Sequence, residues 1–132
     1  MALKISLKPH ERLIIGGAVI ANGPSKTELM IENKVPILRQ NRILKVEEAN
    51  SPARRIYLSI QLMYVDQDRL ADNHKFYLEL VRDFVQAAPS TLVLIDHMNE
   101  LVFQGQYYQA LMDARQLMDF EQEVIERVKQ CC

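Results

Sequence analysis

The residues whose type and spacing suit chemistry are cations. Lys4 and Lys8 punctuate an alternating run near the N-terminus, Arg39 and Arg42 follow a short apolar run thirty residues later, and Arg54-Arg55 form a pair at the start of a new segment. The chemistry they suit is contact with a polyanion, not bond-making. If the first and last of the N-terminal segments lie side by side, Lys4, Lys8, Arg39 and Arg42 make one edge for phosphates. Arg54 and Arg55 open a helix, where the macrodipole gains nothing from positive charge. They call for an anion or an acidic neighbour, and Glu47, Glu48 and Asp66 are the carboxylates near in sequence. No Phe, Tyr or Trp precedes Tyr57. Base stacking on an aromatic platform is therefore not available from the N-terminal part, and any RNA contact there leans on backbone groups and basic side chains.

Signals for catalysis or metal binding are poor. His10, His74 and His97 fall in a turn and in two different helical segments, without metal-ligand spacing. His97 with Glu100 reads as a helix-surface pair. None of Ser6, Ser25, Ser51, Ser59 and Ser90 sits in a nucleophile elbow. Gly16-Gly17 is too short for a phosphate loop, and a strand-like run follows it. Asp66-Gln67-Asp68 lacks the glycine and distal glutamate of a calcium loop. The expectation is a non-enzymatic protein with no metal and no cofactor. Cys131 and Cys132 are the only cysteines and close the chain; they read as free thiols in a reducing compartment.

These residues must be positioned by two kinds of element. From Leu3 to Leu44, short apolar runs alternate with turn residues. Leu3, Ile5 and Leu7 alternate with polar neighbours, the period of a half-buried strand. Leu13 to Ile15, Ala18 to Ile20, Leu29 to Ile31 and Val35 to Leu38 follow. Pro9-His10, Gly16-Gly17, Asn22-Gly23-Pro24 and Asn33-Lys34 separate them. The pattern predicts five short strands in one small antiparallel sheet.

Beyond residue 50 the period becomes helical. Ser51 suits an N-cap and Pro52 the first helical position. Helices are predicted over Ala53 to Val65, Arg69 to Ala88, Thr91 to Phe103 with Ser90 as cap, and Gln106 to about Gln130. Gly105 serves as left-handed C-cap. The last helix carries Ala110, Ala114, Leu117, Val124 and Val128 on one stripe, with Glu121 at its edge. The fold class is α+β, with domains at 1–48 (sheet) and 49–132 (helices).

The 132 residues are 48% hydrophobic and 25% charged, with a formal net charge of -1, as expected of a soluble globular protein. The charge is unevenly spread: residues 1–50 carry +3 and residues 51–132 carry -4. No apolar run approaches the length of a membrane span, and Met1 to Leu7 does not read as a signal peptide. A cytoplasmic location is expected.

Two family resemblances bear on function. HERLIIGGAVI followed by LMIENKVPILRQNRIL resembles the carbon-storage-regulator (CsrA) family of RNA-binding proteins over about residues 3–44. Glu11, Ile15, Gly16 and Val19 fall on the first half of that pattern, and Val35, Ile37, Arg39 and Ile43 on the second. The likeness implies that Arg39 corresponds to the fifth-strand arginine that grips RNA. The first-strand arginine of that family falls on Leu7, with Lys8 beside it. Over nearly the whole chain the sequence resembles the FlbT family of flagellum biosynthesis repressors. The carrying residues are Leu3 to Gly23, Glu32 to Leu44, and above all EEANSPARRIY followed by QLM, from Glu47 to Met63; YYQALMDARQLMDFE, Tyr107 to Glu121, fits as well.

That resemblance implies a post-transcriptional regulator associating with the 5′ untranslated region of flagellin mRNA and lowering its translation or lifetime. Implied partners are the flagellin leader RNA and FlaF or flagellin. A sheet of about forty residues is marginal alone, so either the helices cover it or two chains share it as a homodimer, as the likeness to the carbon-storage regulators implies. The RNA-binding residues expected are Lys4, Lys8, Arg39, Arg42, Arg54 and Arg55. The alternative is a protein-binding adaptor or chaperone-like module acting on flagellin or a flagellar partner, for which Met98, Met112 and Met118 would supply an adaptable surface.

Overall fold

A computed structural model describes residues 2–130. The chain forms two compact units, one ending at Ile43 and the other beginning at Leu44.

The first unit contains five strands: β1 (Leu3–Leu7), β2 (Arg12–Ile15), β3 (Ala18–Ala21), β4 (Thr27–Ile31) and β5 (Ile37–Arg39). They do not make the single sheet that the turn spacing suggests. β1 pairs antiparallel with β4, Leu3 opposite Ile31 and Leu7 opposite Thr27. A separate three-stranded sheet runs β3-β2-β5. First and last strands therefore belong to different sheets. Alternation fixes which face a residue takes, but leaves open which strand lies beside it.

The β2–β3 hairpin follows from Gly16-Gly17. Ile15 lies opposite Ala18, and both glycines have positive φ, 56° and 89°, the backbone of the primed two-residue turns that match strand twist. β5 begins at Ile37 instead of Val35, because Pro36 has no N–H for a ladder. Its carbonyl instead accepts from the Gly16 amide at 2.8 Å. Ile5 and Leu7 of β1 and Leu13 of β2 form the buried centre of the unit. Leu29 and Ile31 of β4, Ile15 of β2 and Ile37 of β5 pack against them. One apolar cluster thus draws on both sheets.

The second unit contains α1 (Pro52–Val65), α2 (Leu70–Ala87), α3 (Leu92–Phe103) and α4 (Tyr107–Gln130). α1 is the most buried, with Ala53, Ile56, Ile60 and Met63 wholly enclosed, and it packs against both α2 and α4. The first-turn donors of α1 are satisfied in sequence. Pro52 has no N–H, Glu121 of α4 accepts from the Ala53 amide at 2.9 Å, and the Ser51 hydroxyl accepts from the Arg54 amide at 3.4 Å. Glu121 is thus a cap on another helix and not simply the edge of a stripe.

Gly105 closes α3 with φ 75°, and the Gln106 amide reaches back to the Leu101 carbonyl at 2.9 Å, as in a Schellman end. Ser90 does not cap α3. Pro89–Thr91 forms a 3-10 turn, and no side chain caps the helix that follows. The Thr91 hydroxyl instead donates backward to the Ala88 carbonyl at 2.7 Å.

Candidate nucleic-acid interface

The turn between β1 and β2 begins the site. Lys8-Pro9-His10-Glu11 is closed by the Glu11 amide donating to the Lys8 carbonyl at 3.1 Å. Proline at the second position and a positive φ of 62° at His10 are the marks of a type II turn, in which glycine is the usual third residue. Here an imidazole occupies that place. The turn is fastened by Asn22, whose amide donates to the Lys8 carbonyl at 2.8 Å and the Ser25 carbonyl at 3.0 Å.

Glu11 ties this turn to the end of β5. One carboxylate oxygen accepts from the Lys8 amide at 2.9 Å. The other meets Arg39 Nη2 at 3.0 Å, and the same Nη2 donates to the Ser6 carbonyl at 2.6 Å. The Lys8 amide above all, and then the Arg39 guanidinium, hold the Glu11 carboxyl below its ordinary range. Just past β5, Gln40 Oε1 accepts from the Arg12 amide at 2.6 Å, which fixes the other wall. Lys8, Pro9, His10, Glu11, Arg39, Gln40 and Asn41 then enclose an open cleft of about 700 Å³.

A pH dependence follows. A lowered folded pKa contributes stability that is complete above the unfolded carboxylate value, 4.5, and is lost as pH falls through the lower folded value. NMR titration should show the Glu11 carboxyl protonating below 4.5, with the Arg39 guanidinium resonances moving in the same step. Glu11→Gln should remove that step, and an Arg39 signal indifferent to the Glu11 titration would contradict the clamp.

Of the six cations expected at the interface, Lys8 and Arg39 come together on this cleft. Arg42 ends the 3-10 turn Gln40–Arg42 that leaves it. Lys4 does not line it: on β1, its ammonium lies 3.3 Å from Glu28 of β4, with both side chains exposed. Arg54 and Arg55 belong to the helical unit. Arg54 Nη1 donates to Asn50 Oδ1 at 3.0 Å, not to a carboxylate near in sequence. Arg55 is exposed and lines a groove with Asp83 and Glu121. Charge alone did not single out His10, Gln40 and Asn41. Their signal was a polar, turn-forming context on both sides of the cations, with donors and acceptors suited to base edges.

The helical unit adds polar contacts of its own. His97 Nδ1 pairs with Asp113 of α4, so the Glu100 pairing expected from helical spacing is not the one formed. The Tyr77 hydroxyl donates to Asn99 Oδ1 at 2.6 Å, and burial raises its pKa. Among the described residues no group of three His, Cys, Asp or Glu is placed to hold a metal ion, and no helix is long and apolar enough to cross a membrane.

The model of the family described as flagellar protein FlbT matches residues 3–125. The chain belongs to the FlbT family. A probable flagellum biosynthesis repressor protein FlbT of Bradyrhizobium diazoefficiens is 46% identical over 125 residues, covering 94% of this chain and 85% of the relative. A protein of the same designation from Rhodopseudomonas palustris is 37% identical over 127 residues, 96% of this chain and 100% of the relative. The flagellum biosynthesis repressor protein FlbT of Caulobacter vibrioides is 35% identical over 128 residues, 93% of this chain and 89% of the relative. No solved structure matches the chain, and the likeness to the carbon-storage regulators is not confirmed.

The family accounts for the sequence segment that carried the resemblance, and the fold says what most of that segment does. In PARRIYLSIQLM, Pro52 starts α1 and Ala53 is pinned by Glu121. Ile56 and Tyr57 are buried, and Gln61 grips the backbone of Leu44. Arg55, by contrast, is exposed on a groove wall.

Proposed function

We propose that this chain is a post-transcriptional regulator of flagellum biogenesis, acting in the cytoplasm on the 5′ untranslated region of flagellin mRNA. The strand unit would contact the leader and obstruct initiation or expose the message to decay. The names of the relatives supply the flagellar setting. The observation that carries the RNA reading is the cleft in which Lys8, His10, Arg39, Gln40 and Asn41 converge.

Each residue has a role there. Lys8 and Arg39 on the cleft, and Arg42 at the end of the 3-10 turn that leaves it, would offer charge to phosphates. The guanidinium has five N–H donors, and its contacts to Ser6 and Glu11 run through Nη2. Glu11 thus aims Arg39 as well as neutralising part of its charge. His10 supplies a ring on which a base can stack, and the carboxamides of Gln40 and Asn41 supply hydrogen bonds to base edges.

Purified protein should shift a flagellin leader RNA in a gel, with a strong salt dependence. Each phosphate contact in a single strand contributes a slope of about 0.7 log units per log unit of salt. The double variant Arg39→Ala with Arg42→Ala should lower the slope by about 1.4 and weaken binding to all leaders alike. A wild-type complex without salt dependence, or a double variant with an unchanged slope, would defeat the reading.

A further inference from the structure

β3 presents an open sheet edge. Its sheet runs β3-β2-β5, so β3 has a neighbouring strand on one side only. The two-residue turn sets which backbone groups face which way. Ile15 and Ala18, which flank it, form a hydrogen-bonded pair, and in an antiparallel ladder such pairs alternate with pairs that exchange no bonds. Ala18 and Ile20 therefore turn their N–H and C=O toward β2, while Val19 and Ala21 turn theirs outward. The phase continues past the strand, where the Asn22 amide donates to the Glu11 carbonyl at 2.9 Å. Among the described residues no group meets the outward amides and carbonyls of Val19 and Ala21. Val19 is 66% exposed, and Ala21 is exposed beside it.

Open edges are templates for another strand, and proteins blunt them with a charge, a proline or a bulge. β1 carries Lys4, β2 Arg12, β4 Glu28 and β5 Arg39. β3 reads Ala18-Val19-Ile20-Ala21, without charge or proline. A charged partner would find nothing on this strand to select it, whereas a second copy of the strand finds a match. Pairing about a two-fold axis must set outward residues against outward residues, so the axis falls on a residue and not between two. Placed at Ile20, it sets Val19 against the partner's Ala21 and Ala21 against the partner's Val19. Both are hydrogen-bonded pairs, and about four main-chain bonds form. A large side chain meets a small one in each. Ile20 faces the partner's Ile20 at the non-bonded position, where opposed side chains come closest. An axis at Val19 or Ala21 puts half of those bonds outside the strand. We propose that β3 is the interface between two copies of this chain, joining their three-stranded sheets into one. Four residues a side make a small contact, so the dimer forms at high protein concentration and dissociates on dilution. The proposal is independent of the RNA reading.

Sedimentation over a concentration series under reducing conditions should show that dimer. Amide exchange by NMR reads its register. Leu13 and Ile20, bonded within the hairpin, should be protected at every concentration, and Val19 and Ala21 only where the dimer is populated. Val19→Lys and Ala21→Glu each place a charge on the edge and leave the β2–β3 bonds in place, so continued protection of Leu13 and Ile20 shows that the sheet is folded. Each variant alone should associate at least about tenfold more weakly. An equimolar mixture of the two should recover a heterodimer, because the register sets the opposite charges directly across from each other. Ala21→Pro, which removes an outward N–H and no bond to β2, should weaken the dimer as well. A wild type monomeric at its highest soluble concentration would overturn the proposal and leave the edge to a strand of a different protein. A dimer whose Val19 and Ala21 amides exchange as freely as the monomer's, or a mixture of the charge variants without heterodimer, would overturn it equally.

Discussion

Leu13→Ala should leave the strand unit without stable hydrogen-bonded structure. Leu13 is fully buried at the point where the apolar residues of both sheets meet. Leucine-to-alanine changes at such sites cost about 2–5 kcal/mol, from lost transfer free energy and the cavity left behind. The unit ends at residue 43. At about 0.05–0.15 kcal/mol per residue, a piece of that size holds roughly 2–6 kcal/mol in total, and chains near this length are marginal in any case. Loss and reserve are therefore of the same size. Native-state hydrogen exchange should find the amides of the β2–β5 ladder, slow in the wild type, exchanging nearly freely in the variant. Because no Phe, Tyr or Trp lies before Tyr57, tyrosine fluorescence is the wrong probe and would report on α1 to α4. If the proposed RNA contact is made at this cleft, it should vanish with the ladder, since Glu11 and Arg39 are held together only while β1, β2 and β5 are. Slow exchange persisting in the variant at Ile14 and Leu38 would show that the cluster is not what holds the two sheets together.

The strands and helices were legible because their signals are local. Alternation at Leu3 to Leu7, paired glycines at 16–17, Ser51 before Pro52 and Gly105 after Phe103 each act within a few residues. The division into two sheets was not legible, because periodicity constrains a strand's faces and not its neighbour. The same limit hid the site's internal wiring. Lys8 and Arg39 stood out by charge, but the Glu11 bridge joins the β1–β2 turn to a position 28 residues on. The Glu121 cap on Ala53 spans 68 residues, and Glu121 read from its own helix was only an interruption. His97 shows how a local rule misleads. Glu100 was the neighbour that helical spacing offered, whereas packing of α3 on α4 delivered Asp113. Arg54 went the same way: carboxylates were available in sequence, and the side chain settled on Asn50.

Gln61→Leu should destabilise the helical unit by about 2–4 kcal/mol, although leucine matches glutamine closely in volume and suits a helix better than most residues. The reason lies in what the carboxamide does. Gln61 is nearly buried, 6% exposed, among the apolar side chains of the C-terminal half of α1. Its Oε1 accepts from the Leu44 amide at 2.8 Å, and its Nε2 donates to the Leu44 carbonyl at 3.0 Å. One side chain thereby stands in for a strand neighbour, satisfying both backbone groups of a residue that lies outside regular secondary structure. Leucine would leave an amide and a carbonyl, both partly enclosed, without partners, at about 1–3 kcal/mol each. Its gain in apolar burial offsets only part of that. Gln61→Glu separates the two bonds: the carboxylate keeps the acceptor for the Leu44 amide and loses the donor to its carbonyl. It should therefore fall between wild type and Gln61→Leu in urea midpoint at neutral pH, and recover toward wild type as acid protonates the side chain. Should Gln61→Leu unfold at the wild-type midpoint, the segment from Leu44 into α1 must be held by its own 3-10 turn at Val46–Glu48. The carboxamide would then be a passenger in the α1 motif and not the fastening of its N-terminal approach.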